Sequence, residues 1–89
     1  MKNVNLVITG NVQGVFFRAS AREAAEQLSI RGFAKNQADG SVYIEAEGDE
    51  ENLNRFVEWC RHGPPRAEVM DVTVTEGTPV NYKSFEVKR

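Results

Sequence analysis

One stretch decides the fold of this chain of 89 residues: Gly10-Asn11-Val12-Gln13-Gly14-Val15-Phe16-Phe17-Arg18. Before it, an apolar residue stands at every second position from Val4 to Ile8, and this alternation predicts a β-strand over residues 4–9. After it, apolar residues recur from Phe17 to Leu28 at the spacing of one helix face. The stretch is therefore a turn from a strand into a helix, with a glycine at its start and another in its middle.

A strand-to-helix turn of this kind is suited to binding an anion. Backbone N–H groups converge at the N-terminus of a helix, where the peptide dipole also favours negative charge. The turn contains no proline, so each of its residues has an N–H to donate, and Arg18 adds a planar fork of donors that suits a phosphate or a carboxylate. The predicted anion ligands are Arg18 and the N–H groups of Asn11, Val12, Gln13, Gly14, Val15, Phe16 and Phe17.

The turn has two other possible interpretations, a nucleotide-binding P-loop and a plain connecting turn. A nucleotide-binding P-loop has Lys and then Ser or Thr after its last glycine, whereas Val15 and Phe16 follow Gly14 here, so that motif is excluded. A plain connecting turn, with an arginine that binds nothing in particular, fits the spacing as well as an anion site does. The residues alone do not distinguish an anion site from a plain connecting turn.

The rest of the chain predicts four more strands and one more helix. The strands are expected at residues 33–36, 42–47, 70–74 and 82–87, and the helix from its N-cap Asp49 to His62. Ala38-Asp39-Gly40 is typical of a tight turn between two strands, and Gly63-Pro64-Pro65 ends the second helix. Val69 is out of phase with the strand that follows it, which indicates a bulge or a strand start near Glu68.

This order of elements predicts the fold class. Strands and helices follow one another as β-α-β-β-α-β with a short extra C-terminal strand, and two helices of this kind must cover one face of an antiparallel sheet. We expect one domain over residues 1–89, a two-layer α+β sandwich of the ferredoxin-like kind. The third predicted strand also orients its side chains: Val42, Ile44 and Ala46 point inward, and Tyr43, Glu45 and Glu47 point outward. Glu45 and Glu47, like Glu50 and Glu51 at the start of the second helix, are expected to be solvated surface charges.

Composition limits the classes of partner. Eleven basic and thirteen acidic residues give a net charge of −2, so the chain lacks the basic footprint of a nucleic-acid or anionic-membrane binder. No apolar run approaches the ~20 residues of a membrane span, and the N-terminus is too polar for a signal peptide. The single cysteine cannot form an internal disulfide. These features predict a cytoplasmic monomer without metal, cofactor, nucleic acid or membrane partner.

The side chains available for catalysis narrow the reaction. Cys60 falls on the apolar stripe of the second helix, and His62 falls in its last turn, where it complements the helix dipole, so both have structural explanations. A site built from amides and an arginine can stabilise charge and orient water, but it offers little proton transfer. It suits a substrate whose leaving group departs unaided, such as a carboxylate, whose conjugate acid has a pKa of about 4. An acyl phosphate meets that requirement.

Three blocks of the sequence resemble the acylphosphatase family. The stretch from Gly10 to Arg18 matches the signature Gly-x-Val-Gln-Gly-Val-x-Phe-Arg at every fixed position. Residues 32–42 resemble the segment Gly-Phe/Tyr-x-x-Asn-x-x-Asp-Gly-Ser-Val of the same family, and residues 63–69 resemble the loop after its second helix. The blocks occur in the same order over almost the whole chain, which favours a stand-alone member of the family.

The resemblance implies a function and a set of site residues. It implies hydrolysis of a small acyl phosphate to a carboxylate and inorganic phosphate, with phosphate as a competitive inhibitor. It also implies that Arg18 binds the substrate phosphate and that Asn36 positions the attacking water. The side-chain carbonyl of an asparagine can accept a hydrogen bond and aim a water molecule, although it cannot act as a base.

Two alternatives keep the fold and change the function. Acylphosphatase-like modules also occur inside larger proteins, so the chain could be a non-hydrolytic module that binds carbamoyl phosphate or a protein partner. RNA-recognition modules share the element order, but they use exposed aromatic residues on a basic surface. Here Tyr43 is followed by Glu45 and Glu47 on the same face, and the net charge is negative, which argues against RNA.

Overall fold

In the computed structural model, which describes residues 1–89, two helices pack on one face of a five-stranded sheet. The elements are β1 (Lys2–Asn11), α1 (Phe17–Gln27), β2 (Arg31–Asn36), β3 (Val42–Gly48), α2 (Glu50–His62), β4 (Glu68–Gly77) and β5 (Phe85–Lys88). The strands lie side by side in the order β4-β1-β3-β2-β5. The predicted two-layer α+β fold is confirmed. Neither α1 nor α2 has the length and the apolar character of a membrane-spanning helix.

Side chains from both layers form a single hydrophobic core. Its fully buried members include Leu6, Ile8, Phe17, Ala21, Ala25, Val42, Ile44, Ala46, Phe56 and Cys60. The alternation in β1 and β3 and the helical spacing in α1 and α2 place these residues on the facing surfaces, as the sequence predicts. The alanines let α1 lie close to the sheet. Cys60 is a core residue, in agreement with its position on the apolar stripe.

The C-terminal strand differs from the prediction in length and in pairing. β5 begins at Phe85 rather than at Tyr82, and it pairs with β2 in a parallel arrangement, so the sheet is mixed rather than wholly antiparallel. The reason is topological. β4 lies at one edge of the sheet and β5 at the other, so the chain must cross three strands between them. Residues 78–84, which we call the strap, make this crossing on the face opposite the helices.

The strap also corrects the prediction for Glu47. The outward orientation of this residue is right, but its exposed fraction is 0%, so it is not a solvated charge. The strap covers it, and the backbone N–H groups of Val80 and Tyr82 donate to its carboxylate at 2.8 and 2.6 Å. Glu45 is half-buried beneath the same segment. Glu50 and Glu51 are exposed in the first turn of α2, as predicted.

A bulge distorts the pairing of β1 with β4 where β1 approaches the turn. Thr9 pairs with Asp71 and Gly10 pairs with Val69, so Met70 is the extra residue, close to the place that the sequence indicates. Gly10 has a φ of 123°, and a Cβ at this position would lie 2.1 Å from the carbonyl oxygen of Glu68. Only glycine fits here, because any side chain would collide with the backbone of β4.

We therefore expect Gly10→Ala to lower the free energy of unfolding by at least about 2 kcal/mol, since the added methyl group adds a steric clash to a strained backbone. Gly40→Ala is the matched control. Gly40 also has a positive φ, 95°, but nothing lies within 4 Å of the position of its Cβ. For Gly40→Ala, the free energy of unfolding should fall by about 1 kcal/mol. Urea unfolding of both variants measures the difference, and equal losses would contradict a steric role for Gly10.

Candidate active site

The topology brings three chain segments together at one end of the strands of the sheet. β1 and β2 each pair antiparallel with β3, and β5 runs parallel to β2, so β1, β2 and β5 all point in the same direction. The carboxyl ends of these three strands therefore lie at the same end of the sheet. The turn after β1, the last residue of β2 and the end of β5 meet there.

The turn after β1 curls through two left-handed residues. Gly14 has a φ of 72° and Phe16 a φ of 64°. This conformation is easy for glycine but strained for a bulky side chain. Phe16 is the N-cap residue of α1, and its ring is 69% exposed. Asn11, the first residue of the predicted loop, is the last residue of β1 and pairs with Glu68.

The curl leaves a row of backbone N–H groups without acceptors in the protein. No N–H of residues 12–16 donates to another backbone group, and the first turn of α1 has no capping side chain. The N–H groups of that first turn cannot bond within the helix. Residues 12–17 are thus free to donate to an external acceptor at the positive end of the helix dipole.

Arg18 lies in the first turn of α1, directly after this row. It is half-buried, and its Nη1 donates to the backbone carbonyl of Lys88 at 2.6 Å. Lys88 is the last residue of β5, and its carbonyl is the only protein acceptor that the guanidinium has. The contact orients the side chain without neutralising it, because a carbonyl carries no net charge.

Asn36 is the last residue of β2 and shares the parity of Ala34, which is buried under the helices. Its side chain therefore points to the helix side of the sheet, beyond the end of the core. It is exposed and has no hydrogen-bond partner. Arg18 and Asn36 line the same cavity, which measures about 300 Å³. Its walls are Val12, Gly14, Phe16, Phe17, Arg18, Ala19, Asn36, Val87 and Arg89.

The side chain of Gln13 joins two parts of the site, and the sequence does not predict this contact. Its Nε2 donates to the backbone carbonyls of Gln37 and Ser41 at 2.8 and 2.9 Å. These residues belong to the turn between β2 and β3, directly after Asn36. The sequence predicts only the N–H of Gln13 as a ligand, because carbonyl groups that need a donor leave no trace in a residue pattern.

Hydrogen bonds within the turn that Gln13 contacts also stabilise it. Asp39 accepts hydrogen bonds from the N–H and the hydroxyl of Ser41, at 2.9 and 2.6 Å. These bonds to Ser41 hold the pKa of Asp39 below its usual value. The Ala38-Asp39-Gly40 stretch of the sequence predicts such a turn, and Gln13 links this turn, directly after Asn36, to the residues that follow β1.

Two arginines, Arg18 and Arg89, line the cavity, and no Asp or Glu does. The other groups that could take part in catalysis lie elsewhere: burial raises the pKa of the Cys60 thiol, and His62 pairs with Glu58 at 3.1 Å on the exposed side of α2. No three His, Cys, Asp or Glu side chains lie close enough together to hold a metal ion. The arrangement is suited to bind an anion and to present a neutral amide beside it.

Known proteins match this chain over its whole length. The family model for acylphosphatase matches residues 4–87. An acylphosphatase from Thermotoga petrophila is 46% identical over 88 residues, which cover 99% of this chain and 98% of that protein. The crystal structure of acylphosphatase from Bacillus subtilis has a TM-score of 0.97 and 36% identity, with 100% of both chains covered.

A larger protein contains a similar region. The crystal structure of HypF from T. kodakarensis matches with a TM-score of 0.87 and 31% identity, covering 100% of this chain but 12% of that one. The full-length matches and the family model agree with the three sequence blocks, so the resemblance found in the sequence is confirmed. The chain therefore belongs to the acylphosphatase family, a family of acyl-phosphate hydrolases.

Proposed function

We propose that this protein hydrolyses acyl phosphates to a carboxylate and inorganic phosphate without a metal ion. The row of free N–H groups at residues 12–17 and the Arg18 guanidinium hold the phosphoryl oxygens, and Asn36 positions the attacking water. The observation that carries the proposal is the single cavity to which free N–H donors, an un-neutralised arginine and an unpartnered asparagine all contribute.

The N–H row and Arg18 act on the charge of the phosphoryl group. In the transition state this charge spreads over the three equatorial oxygens, and donors held in place before the reaction stabilise it without reorganisation. Val12 and Phe17 are buried directly behind the row. Their apolar surroundings lower the local dielectric constant and so strengthen the attraction between the donors and the anion.

Asn36 directs the nucleophile. Its side-chain carbonyl accepts a hydrogen bond from water, which aims a lone pair of the water oxygen at phosphorus. A bond forms between the water oxygen and phosphorus, and the bond between phosphorus and the acyl oxygen breaks. The proton of the water goes to a phosphate oxygen of the substrate. The carboxylate leaves as an anion, since its conjugate acid has a pKa of about 4 and needs no general acid at neutral pH.

Two further features of the cavity support the proposal. Arg18 and Arg89 supply the positive charge that a metal ion provides in other phosphoryl-transfer sites, and they repel a cation. The ring of Phe16 and the side chain of Val87 offer apolar walls of limited extent to the acyl group. Because these apolar walls are small, they make few contacts that would select one acyl group, and we propose a broad acyl specificity.

The alternative is a non-hydrolytic module that binds carbamoyl phosphate or a protein partner. The similar region within T. kodakarensis HypF favours this alternative, because there the fold forms a small part of a larger protein. The match with T. petrophila acylphosphatase, over 98% of that protein, favours hydrolysis. Calorimetry separates the two functions: tight binding of carbamoyl phosphate without release of phosphate would establish the alternative.

The first test removes the arginine. We expect the protein to release phosphate from acetyl and benzoyl phosphate at the same rate with and without EDTA, with competitive inhibition by inorganic phosphate. Arg18→Ala should lower kcat/KM by about 100-fold or more, because it removes a charged donor from the developing phosphoryl charge. Arg22→Ala is the matched control, since Arg22 lies one turn later on α1 and pairs only with exposed Glu26. Loss of activity in EDTA, or an active Arg18→Ala variant, would contradict the proposal.

The second test separates water positioning from phosphate binding. We expect Asn36→Ala to lower kcat by about 100-fold while the inhibition constant of inorganic phosphate changes less than about twofold, because the lost contact is to water. Lys35→Ala is the control: Lys35 precedes Asn36 on β2 but points to the other face, over the ring of Tyr43. It should retain normal kcat. If Asn36→Ala weakens phosphate inhibition as strongly as it lowers kcat, Asn36 is a phosphate ligand instead.

A further inference from the structure

The strap, residues 78–84, is held by one buried carboxylate. Glu47 accepts hydrogen bonds from the N–H groups of Val80 and Tyr82 at 2.8 and 2.6 Å and from Nδ2 of Asn3 at 2.9 Å. Burial by itself raises the pKa of this carboxyl, but the hydrogen bonds from Asn3, Val80 and Tyr82 outweigh it, and the pKa is lowered. A carboxylate satisfied by three donors fixes the segment that crosses it.

Tyr82 extends this attachment toward the last strand. Its hydroxyl donates to Glu45, and its ring packs edge-on against the ring of Phe33, with the centroids 6.0 Å apart. The Nζ of Lys88 lies 4.1 Å from the centroid of the same Phe33 ring. A continuous series of contacts therefore runs on the open face of the sheet from Glu47 to the end of β5.

The burial of Phe85 against Phe56 holds the start of β5 in the core, and the strap contributes the remaining constraint on the position of this strand. It has only four residues, lies at the edge of the sheet and pairs on one side alone, in the parallel arrangement with β2. The carbonyl of Ser84, the last strap residue, accepts the N–H of Gly32 at 3.0 Å and sets the start of this pairing. At the other end of β5, the Lys88 carbonyl is the acceptor that orients Arg18.

We propose that Glu47 is a positioning residue for the phosphate-binding site, acting on Arg18 through the strap and β5. The inference rests on the proposed function in one respect, the role of Arg18 as a phosphate ligand. Glu47 fixes the strap, the strap fixes the register of β5, and the Lys88 carbonyl then holds the guanidinium in one orientation before the ligand arrives. Without this order, the Arg18 side chain occupies several rotamers, and binding must select one of them at an entropic cost.

Loss of the fixed orientation of Arg18 should weaken binding and leave the chemical step unchanged. The cost of ordering Arg18 is met when the phosphate group binds, before the chemical step, so KM and the inhibition constant of phosphate should rise while kcat changes little. The N–H row is on another segment, and β2, which carries Asn36, is also held by its pairing with β3, so both should keep their geometry. A variant that merely lowers stability has no such signature at a temperature where it is fully folded.

The test is Glu47→Gln, which keeps the shape of the side chain but places an NH2 group against N–H donors. We expect KM for acetyl phosphate and the inhibition constant of inorganic phosphate to rise together by about 3- to 10-fold, with kcat changed less than twofold. Tyr82→Phe, which removes only the hydrogen bond to Glu45, should shift both constants in the same direction by a smaller factor. It keeps the proposal testable if Glu47→Gln does not fold.

Two controls isolate the mechanism. Glu86→Gln removes the same charge from an exposed position of β5 and should leave all three constants unchanged. Leu53→Ala opens a cavity under α2, away from the strap, and should lower stability without changing KM or the inhibition constant at a temperature where circular dichroism shows a folded protein. Wild-type constants in Glu47→Gln, or a matching rise in Leu53→Ala, would overturn the proposal, as would a fall in kcat alone.

Calorimetric titration of inorganic phosphate into the wild type and Glu47→Gln repeats the comparison without turnover. If the wild type binds phosphate but releases none from acyl phosphates, hydrolysis fails while the coupling is still measured. If both bind phosphate with equal affinity, the coupling fails while hydrolysis stands.

Discussion

The burial of the Phe17 ring fixes the geometry of the site. Phe17 is the first residue of α1, its side chain is fully buried in the core, and its ring meets Trp59 of α2 edge-on with the centroids 5.5 Å apart. This contact determines where the helix begins. At the other end of the turn, Gly10 is pressed against the backbone of β4. Between two fixed ends the residues 12–16 must arch, and their N–H groups can join neither the sheet nor the helix.

The same constraint explains why the two helices begin so differently. α2 carries Glu50 and Glu51 in its first turn, where they complement the helix dipole. α1 has no acidic residue in its first turn, no capping side chain, and a strained aromatic residue at its N-cap. An unfavourable start of this kind costs on the order of 1 kcal/mol. A capping side chain would be the more stable choice at α1, but it would occupy the N–H groups that are proposed to bind the phosphate.

The sequence predicts the parts of this structure that depend on neighbouring residues. Alternation in β1 and β3 and helical spacing after Phe17 are local patterns, so the element order and the fold class follow from them. The turn after β1 can be located for the same reason, because it lies between a predicted strand and a predicted helix. Asn36 lies at the end of a predicted strand, but the residues alone do not single it out. The family resemblance implies its role and the role of Arg18 as a phosphate ligand.

The parts that could not be predicted depend on backbone groups and on distant segments. Glu47 points outward as its parity requires, yet it is buried by the strap, whose contacting residues are 33 and 35 positions away in the sequence. The acceptors for Arg18 and Gln13 are carbonyl groups, which every residue has and no pattern reveals. The parallel pairing of β5 follows from its place at the far edge of the sheet. An alternating sequence specifies which face a side chain takes, but not which strand lies beside it.

The proposed role of Arg18 as a phosphate ligand explains why a carbonyl suits it as a partner. A carboxylate in that place would orient the guanidinium more strongly, but it would compete with the phosphate for the same charge. The Lys88 carbonyl accepts a single N–H and leaves the remaining donors and the full positive charge to the ligand. Such a weak partner can hold Arg18 only if it is itself held. In the proposed arrangement, the carboxylate that provides rigidity is Glu47, whose charge is already satisfied by three donors and lies on the face of the sheet opposite the helices.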